Sequence, residues 1–192
     1  MKDLRIFGVL LSALTLFGCT GGHRNDLDPA DVSARAIQAI SAKDWSTLAR
    51  LADPTHGVRF SPYAYVDTTT GVVLSLAEIA SPGKNSQLRL WGTYDGSGEP
   101  IRLTAQAYFE RFVCDRNFAS AKPGPANKRI GIGNSLNNIN DVYAGRDVVF
   151  FEYYLPGTKV YDNMDWRSLR LVLERTQGRW CLICVVHDEW TI

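Results

Sequence analysis

Apolar side chains recur at helical spacing in the first part of the chain and alternate at strand spacing in the last part. In residues 28–41, Val32, Ala36, Ile37 and Ile40 fall on one helical stripe. Asp28 stands where an N-cap belongs and Pro29 at the first helical position. Asp44 caps a second, shorter helix that stops at Asp53-Pro54, so the two helices form a hairpin. Residues 57–66 then alternate. Val58, Phe60, Ala64 and Val66 share one face, and Arg59, Ser61, Tyr63 and Tyr65 the other. Pro62 predicts an edge strand or a bulged one. Residues 92–103 are turn-rich, and Thr104 opens a third helix with Tyr108, Phe109, Phe112 and Val113 as its buried stripe. A loop with Pro123, Gly124 and Pro125 follows, and the glycines of "GIGNS" read as a turn. From residue 147 the chain reads as strand, ending in a hairpin of 167–175 and 179–192 around "TQG". Helical hairpin, strand, helix and then long antiparallel strands make an α+β order.

The stretches "HGVRFSPYAYV", "WGTYDGSGEPI", "GIGNSLNN", "MDWRSLRLV" and "HDEWTI" together resemble a group of uncharacterised bacterial secreted and lipid-anchored proteins with an NTF2-like domain. The resemblance implies a helical hairpin plus a third helix packed on a curved, mostly antiparallel sheet, forming a cone with a pocket. It implies no established activity.

The first 18 residues read as an export signal rather than as part of the fold. Lys2 and Arg5 precede the apolar run 6–17, which is too short to span a bilayer as a helix. "LFGC" resembles the lipobox of bacterial lipoproteins, with Phe17 where a smaller residue is usual. That resemblance implies acylation of Cys19. Residues 19–27 are then a tether and 28–192 a single domain. The expected address is the cell envelope. In a cell with an outer membrane, Thr20 favours that membrane, facing the periplasm; otherwise the domain sits on the outer face of the plasma membrane.

Charge adds an exclusion. The chain carries 21 Lys+Arg and 20 Asp+Glu, and setting aside Lys2, Arg5 and Asp3 leaves 19 of each. A neutral domain without a basic run is not built for nucleic acid.

Strand parity places Glu152 on a face with Phe150 and Tyr154, and Arg170 on a face with Ser168 and Val172. Ionisable residues in mid-strand persist when paired and hydrogen-bonded, so Glu152 and Arg170 are expected to interact. With Arg59, Tyr63, Tyr65, Tyr154, Trp190 and one of His187 or Asp188 they could line a polar pocket, or lie on a solvated sheet face. In an ideal strand Cys181, Ile183, Val185 and His187 point one way and Leu182, Cys184, Val186, Asp188 and Trp190 the other. His187 and Asp188 therefore form no local dyad. A histidine with a carboxylate from elsewhere could serve as a general base, though a hydrogen-bonded structural histidine is the commoner arrangement.

Three histidines and one CxxC pair on a strand make no metal site. Neither a dinucleotide loop, a P-loop nor a nucleophile elbow is present, and no cofactor is expected. Export permits a disulfide from Cys114 to Cys181 or Cys184, with simple buried cysteines as the alternative. The sequence thus points to an anchored domain that binds a small ligand, an envelope glycan or a partner protein. Two alternatives stand beside it: a pocket enzyme of hydrolase or isomerase type using His187 with Glu152 and Arg170, and a structural homodimer formed on an open sheet face.

Overall fold

The computed structural model describes residues 27–191. The signal segment, Cys19 and Ile192 lie outside the described residues.

The helical hairpin forms as its caps dictate. Helix α1 (Pro29–Ser41) starts where Asp28 accepts the Ala30 N–H at 2.8 Å, and it buries Val32, Ala36, Ile37 and Ile40. Helix α2 (Trp45–Leu51) starts where Asp44 accepts the Thr47 N–H at 2.9 Å. Strand β1 covers only Val58–Ser61. Then come β2 (Val73–Leu74), a short helix α3 (Leu76–Ala80) with a Ser75–Glu78 capping box, and the hairpin of β3 (Arg89–Thr93) and β4 (Pro100–Leu103). Helix α4 (Ala105–Tyr108) runs on into a π turn, Phe109–Val113. The predicted stripe of Tyr108, Phe109, Phe112 and Val113 is buried. A one-turn helix α5 (Ile139–Val142) precedes the long strands β5 (Val148–Leu155), β6 (Arg167–Thr176) and β7 (Arg179–Glu189).

The five-stranded sheet has the order β2-β1-β7-β6-β5, antiparallel except where β1 lies parallel to β7. The class is therefore α+β, with the helices on a mostly antiparallel sheet. Gln177 and Gly178 both take positive φ, the two-residue turn whose twist suits a hairpin. Helices and sheet enclose a core of Phe60, Tyr108, Phe109, Phe112, Phe118 and the β6 leucines 169, 171 and 173.

Four sequence expectations change. First, β1 ends at Ser61 and is an internal strand, because β2 takes the edge. Past Pro62, which has no N–H to give a ladder, the Ser61 hydroxyl is shared between the carbonyls of Tyr63 and Tyr65 and folds the chain over. Second, strand parity in β7 breaks at Ile183. Val172 faces Cys184 but Leu173 faces Leu182, so Ile183 is a bulged extra residue that bends the strand. Leu182 joins Val185 in the main core, while Ile183 and Cys184 both join the second cluster with Val66, Phe150 and Val186. Third, Cys114 and Cys184 are free thiols, so no disulfide involving Cys114 forms. Cys114 instead donates to the Ile40 carbonyl. Fourth, α3 and the β3–β4 hairpin lie in stretches that carry too little periodicity to announce them.

The sheet's second face is not open. Residues 123–143 form a strap across it. Gly124 and Asn127 donate backbone N–H groups to the Glu152 and Phe150 carbonyls and close the β5 edge. Further on, the Asn138 amide pairs with both backbone groups of Val66, at 2.8 and 3.0 Å. The face that a sheet-on-sheet homodimer would use is thus covered by the chain itself. Gly131 and Gly133 make no turn here. A Cβ on Gly131 would come within 2.8 Å of the Trp166 ring, and one on Gly133 within 3.0 Å. Their role is close approach to a buried tryptophan.

Candidate functional site

The residues singled out from the sequence do not converge on one pocket; the structure sorts them into four places. On the strap-covered face, Glu152 pairs with Arg170 in register on β5 and β6, and Asp188 of β7 lies one strand over. Arg170 Nη2 donates to Glu152 Oε1 at 3.2 Å, Asp188 Oδ2 at 2.7 Å and the Gly131 carbonyl at 3.2 Å. All three charged side chains are 2% exposed or less. Glu152 also accepts the backbone N–H groups of Ile130 and Gly131. Burial holds the Asp188 carboxyl above its ordinary range, against the pull of Arg170. The Tyr154 ring packs, tilted, against Trp166 at 5.8 Å beside this triad. The expected Glu152–Arg170 interaction is present, and it clamps the strap rather than opening onto a cavity.

His187 sits on the other face, as parity requires. Its Nδ1 bonds the Pro62 carbonyl at 3.0 Å, and Nε2 lies 3.4 Å from Asp115 Oδ2. Phe112 and Phe118 meet its ring edge to face. Arg167 reaches both Asp115 (3.3 Å) and Glu189 (2.9 Å), and Arg111 reaches Glu189 at 2.8 Å. Burial alone would raise the Asp115 carboxyl, but His187, Arg167 and Arg111 hold it below the usual range. Because the sheet lies between His187 and the Glu152–Arg170 pair, these three cannot act on one substrate. Nor do Cys114 and Cys184 stand as thiolates. Burial pushes both Cys114 and Cys184 up to about 11, far from the thiolate that reactivity needs.

Arg59 stands apart from both groups. It donates to the carbonyls of Asp67 (2.7 Å) and Gly71 (2.8 Å), holding the loop after Val66.

Tyr63 and Tyr65 lie in the fourth place, which is a true cleft. A cavity of about 620 Å³ is walled by Tyr63, Tyr65, Thr93, Tyr94, Asp95, Gly96, Gly98, Asn134, Ser135 and Leu136. Tyr63, Tyr65 and Thr93 also line an adjoining cavity of about 320 Å³. Three segments meet here, and Thr191 joins them. Asp95 accepts from Ser135 at 2.8 Å and Thr191 at 2.6 Å, and Asn134 donates to the Thr191 carbonyl at 2.8 Å. Tyr63 packs edge-on against Phe112 at 6.0 Å, and burial raises its hydroxyl pKa. Tyr65 is 53% exposed and Leu136 79%. Sequence reading reached Tyr63 and Tyr65 but missed Tyr94, Asp95, Asn134 and Ser135. The signal for Tyr94 and Asp95 was an aromatic residue at a glycine-rich turn, "TYDGSG"; Asn134 and Ser135 sit in "GIGNS", whose glycines read as a turn.

Trp190, just beyond β7, is half-buried. The residues before and after it answer for the tail. His187 ties to Pro62, Asp188 to Arg170, Glu189 to Arg111 and Arg167, and Thr191 to Asp95. The end of the chain is a stitch joining four parts of the fold. Among the described residues no group of His, Cys, Asp and Glu is placed to hold a metal ion, and no helix is long and apolar enough to cross a membrane.

No family model matches the chain, and no curated protein matches it. The chain is similar to solved structures of NTF2-like proteins. One, from Rhodospirillum rubrum and described as of unknown function in nutrient uptake, is 17% identical over 86% of this chain and 100% of that one, with a TM-score of 0.39. Another, from Novosphingobium aromaticivorans and described as having a cystatin-like fold, is 12% identical over 83% and 77%, with a TM-score of 0.37. The association domain of Caenorhabditis elegans CaMKII is 15% identical over 83% and 91%, with a TM-score of 0.31.

Proposed function

We propose that this chain is a lipid-anchored domain of the cell envelope that binds a polyhydroxylated ligand, an envelope glycan, in the tyrosine cleft. The observation that carries the reading is the cleft's lining. Three tyrosines stand around a cavity whose other walls are hydroxyl, amide and carboxylate groups. Aromatic rings offer flat apolar faces to the C–H side of a sugar ring, and the polar groups bond its hydroxyls. The catalytic candidates do not line this cleft: His187 and the Glu152–Arg170–Asp188 triad are buried and bonded to the protein itself. The anchor rests on Lys2, Arg5, the apolar run and Gly18-Cys19.

Calorimetric and NMR titration with soluble N-acetylglucosamine oligomers and with muropeptides tests the cleft. Binding is expected to shift signals of Tyr65, Tyr94 and Ser135, and Tyr65→Ala is expected to weaken it about tenfold or more. His187→Gln should bind as the parent does. A titration that leaves the cleft signals in place with every glycan removes this proposal.

A further inference from the structure

A second cavity, of about 390 Å³, lies between the start of α2, the turn Pro82–Lys84 and the outer side of the third helix. It shares no residue with the tyrosine cleft, and its size falls within the range of small-molecule sites, about 300–1,000 Å³. Its apolar wall is Trp45 set against Phe109, with ring centroids 4.9 Å apart. The helix is locally widened there. Cys114 donates to the Phe109 carbonyl at 2.8 Å, a five-residue closure, and such π turns recur at binding and catalytic sites.

The charged groups at the mouth are Lys43, Lys84 and Glu110. Lys43 is exposed on a left-handed backbone (φ 53°), and neither lysine has a carboxylate partner among the described residues. Glu110 is engaged by the Gln106 amide at 3.1 Å. Gly83 of the turn lies against the end of that glutamine side chain. Two ammonium groups against one carboxylate leave a single net positive charge beside an aromatic wall.

We propose that this cavity is a binding site for a small aromatic monocarboxylate, its ring on Trp45 and its carboxylate between Lys43 and Lys84. One negative charge matches the mouth, and a flat ring matches the wall through offset or edge contacts. The site is independent of the glycan reading.

The test compares three probes of one shape: phenylacetate, 2-phenylacetamide and phenethylamine. NMR titration of the domain should show phenylacetate shifting the Trp45 indole signal, with the amide about fivefold or more weaker and the amine weaker still. Lys84→Gln and Lys43→Asn should each weaken phenylacetate without changing amide binding or the melting temperature; asparagine tolerates the left-handed backbone. Trp45→Leu should weaken both ligands, and Tyr65→Ala should change neither. Equal binding of acid and amide overturns the proposal, as does a Trp45 signal that phenylacetate leaves unmoved.

Discussion

Glu152 accepts the backbone N–H of Gly131 at 3.0 Å, so a residue in the middle of a sheet strand holds down a loop 21 positions earlier in the chain. The same carboxylate oxygen takes the Arg170 guanidinium at 3.2 Å. A buried ion pair is weak evidence for stability by itself, because desolvation offsets most of the attraction. Here its effect is positional: it fixes which backbone amides the strap presents to the sheet.

Removing one member should therefore cost more than a surface pair would. Glu152→Ala leaves two strap amides without an acceptor and is expected to lower unfolding free energy by about 3–5 kcal/mol. Denaturant melts measure the loss, and amide hydrogen exchange at Ile130 and Gly131 should rise with it. Losses for Glu152→Ala and Arg170→Ala that are additive and each below about 1 kcal/mol would show the pair to behave like a surface one.

The second buried cluster gives a pH dependence of known sign. The Asp115 carboxyl is held below its usual value of 3.8 in the folded chain. As the pH falls, the unfolded chain takes up this proton first. Asp115's contribution to stability is complete above the usual value and is lost as the pH drops through the lower folded value. Asp115→Asn should be less stable than the parent at about pH 6, with the gap in melting temperature narrowing toward about pH 3. A gap that stays constant across that range would mean that the His187 and Arg167 contacts do not favour the charged form.

The tail should be indispensable. Strand β7 lies between β1 and β6, and beyond β6 its end bonds Arg111 of the π turn through Glu189 and Asp95 of the β3–β4 turn through Thr191. Deleting residues 187–192 is expected to abolish cooperative unfolding. His187→Gln should leave the domain folded and cost about 1–3 kcal/mol for the lost carbonyl and carboxylate contacts. A soluble, cooperatively melting truncation would contradict this account of the fold.

Anchoring can be read in the cell. Cys19→Ser should move the protein out of the membrane fraction or leave it unprocessed, and it should abolish labelling by a fatty-acid probe. Membrane association and acyl labelling that survive the substitution would remove the lipid anchor from the proposed function.

Much of the architecture was legible locally. Asp28, Pro29 and Asp44 mark helix starts because capping chemistry acts within three residues. Alternation in 148–155 and 167–176 assigns faces because the pleat has a period of two. Parity also placed His187 away from Asp188, and the need of mid-strand charges for partners pointed to the Glu152–Arg170 pair, whose register the sheet supplies. Four things lay beyond local pattern. The bulge at Ile183 shifts the register after it, and only pairing with Val172 and Leu173 reveals it. The parallel seat of β1 beside β7 depends on how the chain returns after the helices. The strap's glycines pack under Trp166, more than 30 residues later in the chain. The cleft draws on residues 63–65, 93–98, 134–136 and the last described residue, which no spacing rule could join. Capping, helical stripes and strand alternation are short-range and are written in the order of residues. Register, face coverage and cavity walls come from long-range packing, in which segments far apart in sequence compete for the same apolar surface.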